Sequence, residues 1–352
     1  MLETPVVLII FNRPKQTAAV FQAIRSARPT HLFIIADSPR TTVASDNTLC
    51  QTTRQTIANV DWPCTVLYNF SDHNLGNARR ISSGLTWVFE QVTEAIILED
   101  DCLPTDDFFQ FCQQLLSTYR HDERVAMISG YNALGRWRQH SQSYHFSRYG
   151  SHWGFATWRR VWEKYDATLP SLTNQSQIEA LRTTINNAVY ADYFVKMTAK
   201  IRSGQLDTWD HAFTAGQLLR QQVAIVPAVS MVTNIGFGKQ AAHTVDALSL
   251  NAYAPTYPLE FPLSPPHAHR FDQAFDTAYQ AWRLGRPDPA LVIQQLTARI
   301  KNGQHAHAFI LLTAFIKSKP KLTRDQRQQV QRLRQQLLIA MRRPKGSGDA
   351  SS

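Results

Sequence analysis

The chain has 352 residues, 43% hydrophobic and 18% charged, which allows a large core and one or two domains. Its formal net charge is +10, and residues 270–352, with 15 Lys and Arg against 5 Asp, carry that whole excess. A balanced body with a basic appendage argues against a nucleic-acid-coating protein, and no apolar run approaches the roughly 20 residues that span a bilayer.

The first segment, MLETPVVLIIFNRP, reads as a buried strand over 6–11 and not as a signal peptide, since it lacks a basic leader. A helix follows over 14–27, with Pro14 in its first turn and Val20, Phe21 and Ile24 at helical spacing. HLFIIAD (31–37) is a second strand, a helix runs through 52–60, and CTVLYNF (64–70) is a third strand. Residues 77–92 form a helix carrying Ile81, Leu85, Val88 and Phe89, and AIILED (95–100) is a fourth strand. Thr105 caps a helix over 106–119, with Asp106 and Asp107 at its positive end. Cys50, Cys64, Cys102 and Cys112 lack zinc-site spacing; their even number leaves a disulfide pair open, but a chain this long is expected to keep them reduced in the cytoplasm.

Unbroken apolar strands alternating with helices predict an α/β fold: a Rossmann-like, mostly parallel sheet with helices on both faces. Ligands of such sheets bind beyond the carboxyl ends of the strands. Asn12 and Arg13, Asp37, Asp72 to Asn74, and Glu99 to Asp101 all fall on that rim. The run Glu99-Asp100-Asp101 is the sharpest of these, because three adjacent acids repel and something must offset that cost.

From 125 the rhythm changes. VAMISGYN (125–132) is a strand and loop, and RYGSHWGFATWRRVWEKYD (148–166) is a Trp- and Gly-rich loop entering a helix near Thr157. Residues 175–203 read as helical, QLDTWDHAFTAGQLLRQQ (205–222) as an acidic loop and helix, and 223–236 as a strand and loop. This divides the body into halves at 1–122 and 123–250, followed by a Pro-rich linker (251–269), a basic helical region (270–343) and a disordered tail (344–352). Val330, Leu333, Leu337 and Met341 lie on one side of the last helix.

Taken in order, FNRP, ADSPR, HNLGNARR, IILEDDCLP, the WGFATWRRVWEKYD block and TWDHAF resemble a nucleotide-diphospho-sugar transferase of the GT-A glycosyltransferase fold. The resemblance is to family 2-like enzymes and to the N-acetylglucosaminyltransferase I type, over residues 5–245. It implies that Glu99-Asp100-Asp101 stands at the Asp-x-Asp motif, with Asp101 as direct ligand to Mn²⁺ or Mg²⁺, Glu99 beside it, and Asp100 near the donor ribose or sugar. Phe11, Asn12 and Arg13 would line the nucleotide pocket and Asp37 would take a hydrogen bond from the base. Asn74, Gly76 and Arg79 or Arg80 would flank the donor, Trp209-Asp210 would carry the catalytic base, and His243 would close over the diphosphate or metal.

Each role has a plainer competitor. The acidic run alone is an acidic turn, Asp210 a helix cap, Asp37 the start of a turn before Pro39, Arg13 a local ion pair, and His243 a loop residue. Asp207 is near enough in sequence to be confused with Asp210. Arg79 and Arg80 open a helix, where cations are disfavoured; that conflict favours a phosphate contact for at least one of them, with plain surface exposure as the alternative. Trp158 and Trp162, four apart, default to core packing, which leaves Trp153, with Trp209, for the acceptor. The expected activity is metal-dependent, inverting transfer from a UDP-sugar, such as UDP-GlcNAc, to a glycan or lipid-linked acceptor. The basic C-terminal helices pack on the body, bind a partner or lie on an anionic membrane. The rivals are a nucleotidyltransferase that makes sugar nucleotides, which FNRPKQT disfavours for want of a Gly-rich loop, and a non-catalytic glycan- or nucleotide-binding module.

Overall fold

A computed structural model describes residues 1–137, 141–167, 175–237, 254–267 and 270–342. β1 (Val6–Ile10) is buried at every position and lies inside the sheet. α1 (Pro14–Ala27), with Pro14 in its first turn, leads to β2 (His31–Ala36). α2 (Ser45–Thr56), β3 (Thr65–Phe70), α3 (Asn77–Phe89) and β4 (Glu94–Glu99) follow. β2 and β4 pair with β1 on either side, and β3 pairs with β2, all parallel. Each strand therefore ends at the same rim, and that is where Phe11, Asp37, Ser71 and Glu99 emerge.

After β5 (Cys102–Pro104) and α4 (Asp106–Thr118), the chain adds β6 (Val125–Ser129), β7 (Tyr144–Ser147) and β8 (Phe155–Trp158). α5 (Arg159–Trp162), α6 (Gln175–Ile185), α7 (Ala188–Arg202) and α8 (Asp210–Leu219) precede β9 (Val223–Pro227) and β10 (Val232–Asn234). The main sheet runs β3-β2-β1-β4-β8-β6-β9-β7, and β5 pairs with β10 in a separate ribbon. It is mixed but mostly parallel among its first strands, and helices cover both faces, as the alternation predicted.

Four local expectations change. Trp158 ends a strand and not a helix: β8 lies antiparallel between β4 and β6, with Thr157 opposite Ala95 and Thr157 Oγ1 donating to Ala126 O at 2.7 Å. Trp158 and Trp162 are still core residues, 2% and 4% exposed. The helix over 175–203 is two helices, broken where Asn186 adopts φ 50° and Asn187 caps α7 by accepting from Tyr190 N. β3 is half-exposed because it is the sheet edge, and Arg54 stacks over its Phe70 at 4.6 Å. Thr105 stands at the start of α4 without a side-chain cap bond.

The chain forms two compact units, Met1–Ile235 with Thr256–Asp276, and Gly236–Pro255 with Thr277–Ser352. The first holds all ten strands. The Pro-rich stretch belongs partly to it: Tyr257 N bonds Ser230 O, Leu259 N bonds Asp107, and Ser264 exchanges hydrogen bonds with Ser143. The second unit contains α10 (Pro289–Lys301), α11 (His305–Lys317) and α12 (Arg324–Arg342) around Val292, Leu296, Leu311, Phe315, Val330 and Leu337. α9 (Gln273–Arg283) runs across the boundary. Met341, expected on the apolar side of the last helix, is 51% exposed. Among the described residues no helix is long and apolar enough to cross a membrane.

Candidate active site on the carboxyl rim

The ends of β1 and β4 meet at the acidic run. Phe11 N donates to Asp100 Oδ2 at 3.3 Å, and Arg13 Nη1 donates to Asp100 Oδ1 at 3.1 Å and to Asp101 Oδ2 at 2.6 Å. These three charged side chains are nearly closed to solvent, 15% exposed for Arg13, 7% for Asp100 and 10% for Asp101. The guanidinium therefore offsets the crowding of carboxylates. Burial opposes the charge on Arg13, yet Asp100 and Asp101 outweigh it and raise its pKa. Burial pushes Asp100 up to about 7 against the pull of Arg13. Glu99 goes up to about 8, first by burial and then by repulsion from Asp101, Asp100 and Asp210.

Asn12 and Phe11 belong to a second cluster that sequence reasoning missed. Asn12 Nδ2 donates to Asp46 Oδ1 at 2.8 Å, and Arg40 grips the same carboxylate through Nε at 2.6 Å and Nη2 at 2.9 Å. Asp46 is fully buried, and the Arg40 hydrogen bond lowers its pKa. Arg40 also lies over the Phe11 ring at 5.4 Å. Arg40 sits in the ADSPR motif, but nothing in α2 marks Asp46, one acid in a polar helix.

Asp37, at the end of β2, is buried among donors. Ser38 N, Leu75 N and Gly76 N reach its oxygens at 2.9 to 3.1 Å, and Asn74 Nδ2 lies at 3.2 Å from Oδ2 and 2.7 Å from Ser38 O. Its lone pairs thus already hold the loop that carries Asn74 and Gly76. Arg79 is exposed on the first turn of α3, whereas Arg80 is buried and turns toward Asn69, with Nη2 3.1 Å from Asn69 O. The two neighbouring acids now separate. Asp207 caps α3 from far along the chain, accepting from Asn77 N at 2.7 Å and Ala78 N at 3.0 Å. Gly76 has φ +80°, and a Cβ there would lie 2.7 Å from Asp207 Oδ2, so the close approach requires glycine.

Asp210 opens α8 and is partly exposed. Thr208 Oγ1 donates to its Oδ1, and His211 N donates to the same oxygen at 2.9 Å. Trp209 is 2% exposed, with Phe155 stacked on it at 5.7 Å and His152 edge-on at 4.9 Å. Its ring is a packing element and offers no face to an acceptor, which corrects the role expected for it. Trp153 remains partly open and meets Tyr131 edge-on at 4.9 Å. His243 lies outside the described residues.

Among the described residues no group of three or more His, Cys, Asp or Glu is placed to hold a metal ion. Asp100 and Asp101 nevertheless converge, and their oxygens are the hard donors that Mg²⁺ or Mn²⁺ takes. Both carboxylates are held by Arg13 Nη1 in this arrangement.

No protein-family model matches the chain, and no curated protein does. Among solved structures, it is similar to UDP-glucose pyrophosphorylase complexed with UDP-glucose, at 10% identity and a TM-score of 0.35, over 65% of this chain and 91% of that one. Apo-UDP-glucose pyrophosphorylase gives 10% identity and a TM-score of 0.31, over 66% and 93%. HddC from Yersinia pseudotuberculosis gives 9% identity and 0.28, over 46% and 80%. Likenesses at these scores carry no argument about what the chain acts on.

Proposed function

We propose that the chain moves a sugar from a nucleotide-diphospho-sugar to a hydroxyl acceptor, by single displacement with inversion at the anomeric carbon. The observation that supports this reading is the Arg13–Asp100–Asp101 cluster at the ends of β1 and β4, on the sheet rim. Asp210 takes the proton of the acceptor hydroxyl. The acceptor oxygen forms its bond to the anomeric carbon as the bond to the diphosphate breaks, and the diphosphate leaves with the electron pair.

Asp101, with Asp100 and Glu99 beside it, would hold Mn²⁺ or Mg²⁺, and His243 would assist. The ion would supply positive charge to the leaving diphosphate. Phe11, Asn12 and Arg13 line the nucleotide side, and Asp37 keeps the Asn74–Gly76 loop in place beside it. Arg79, exposed and at a helix start, is the phosphate-facing arginine. Trp153 is the acceptor platform, since aromatic faces stack on sugar rings. The donor we favour is a UDP-sugar, UDP-GlcNAc first, and the acceptor a glycan or lipid-linked sugar. The basic second unit, with Leu338, Ile339 and Met341 exposed at the end of α12, suits contact with an anionic membrane.

Nucleotidyl transfer is the second reading, because a rim cluster that would hold a nucleotide diphosphate would serve a nucleoside triphosphate as well. One experiment separates the two. Incubation with UDP-sugars and Mn²⁺ should release UDP, and incubation with UTP and a sugar 1-phosphate should release no pyrophosphate. The opposite pattern would establish nucleotidyl transfer, and ligand binding without turnover would leave a binding module.

A further inference from the structure

Resting on the role given to Asp210, we infer that His152 is a positioning residue for that carboxylate, supplying a polar edge to the aromatic box behind it. His152 lies in the loop between β7 and β8, and it is 7% exposed. Its ring meets Trp209 at 4.9 Å, Phe213 at 5.2 Å and Phe155 at 5.3 Å, each nearly perpendicular. Trp209 and Phe213 are the residues one before and three after Asp210, so His152 wedges the turn of α8 that presents the carboxylate.

Packing alone does not account for a histidine here. Its Nε2 is sealed from solvent and has no hydrogen-bond partner, and a buried polar atom left so is destabilising. Phenylalanine would fill the same box without that cost. What the imidazole adds is a dipole packed against Trp209 and Phe213, on the turn that carries Asp210, and the Asp210 charge acts on it. Glu99 repels Asp210 from the end of β4, the Tyr165 phenol, which bonds Trp209 O, also feels its charge, and Thr208 Oγ1 and His211 N donate to its Oδ1. On its own helix, His211 is turned away toward Thr198 and Phe194. A box with a wholly apolar back wall would disfavour the ionised carboxylate that must accept a proton.

The test compares wild type, His152→Phe, His152→Gln and Asp210→Asn for UDP release from UDP-GlcNAc and related UDP-sugars across pH, with thermal unfolding and UDP binding on each. His152→Phe should fold with an unchanged or higher Tm and bind UDP normally. Its kcat should fall about 10–100-fold, with the acidic limb of the pH profile displaced to higher pH. His152→Gln, which keeps a polar edge, should recover most of the rate. A His152→Phe enzyme with wild-type kcat and pH profile overturns the inference. So does a folded His152→Gln enzyme as slow as Asp210→Asn, and this arm decides the matter if His152→Phe does not fold. Asp210→Asn turning over normally, or a wild type that turns over nothing, rejects the glycosyl-transfer reading itself and the inference with it. Loss in Asp210→Asn together with an unaffected His152→Phe rejects the inference alone.

Discussion

Arg13 and Asp101 meet at 2.6 Å across 88 residues of sequence, and the same Nη1 reaches Asp100. One guanidinium thus ties the loop after β1 to the end of β4 and offsets part of the charge of a buried carboxylate pair. Removing one member of such a cluster leaves unpaired buried charge, at about 3 kcal/mol. Arg13→Ala should therefore lower stability by roughly that amount in chelator. A divalent cation that binds the freed carboxylates would restore part of it. Chemical unfolding with EDTA and with millimolar Mn²⁺ checks this, and equal losses in both would show that no cation enters the pair.

Gly76 and Asp207 provide a second test, independent of activity. Asp207 is exposed, so losing its cap on α3 in Asp207→Ala should cost only about 0.5–1 kcal/mol. Gly76→Ala should cost more, because it combines a positive φ with a contact to Asp207 Oδ2. The two should be non-additive: with the Asp207 carboxylate gone, Gly76→Ala retains only its backbone penalty. Urea unfolding of both single variants and the double variant measures the coupling, and strict additivity would contradict the contact.

His145 predicts an acid sensitivity. It is 1% exposed, neither ring nitrogen has a hydrogen-bond partner, and its ring packs on Phe275 at 4.3 Å. Burial depresses its pKa to about 4. The unfolded chain then binds the extra proton between pH 6.5 and 4, so this contribution to stability is full above 6.5 and is lost as the pH falls toward 4. His145→Phe should remove an unsatisfied polar group and raise stability at pH 7.5 by about 1–3 kcal/mol. The gain over wild type should widen toward pH 5, as followed by Tm, and a gap that narrows instead would contradict the buried neutral state.

The strand ends were legible in the sequence because their signal is local: VVLIIF, HLFIIAD and AIILED are apolar runs that stop at polar residues. β8 was not, because FATWRRVW fits a helix by spacing, and its strand state depends on being sandwiched between β4 and β6. Placement of Arg13 and Asp100 near one another followed from the rim argument, but that Arg13 bonds both acids did not. Asp46, Asp207 and His152 were illegible for the same reason. Asp46 is recognised by Asn12 and Arg40, Asp207 by the start of α3, and His152 by Trp209 and Phe213. Each of those partners is brought in by the fold and not by neighbouring sequence. Trp209 failed in the other direction, since a Trp before an acid reads alike whether its ring is offered or buried.

The most direct test of the central claim is UDP binding and UDP-sugar turnover, with Mn²⁺ present and absent, in wild type, Asp101→Ala and Asp210→Asn. The proposed roles require that Asp101→Ala lose Mn²⁺-dependent UDP binding. They also require that Asp210→Asn bind UDP like wild type and lose sugar transfer by about 100-fold or more. Wild-type binding and turnover in both variants would contradict the account.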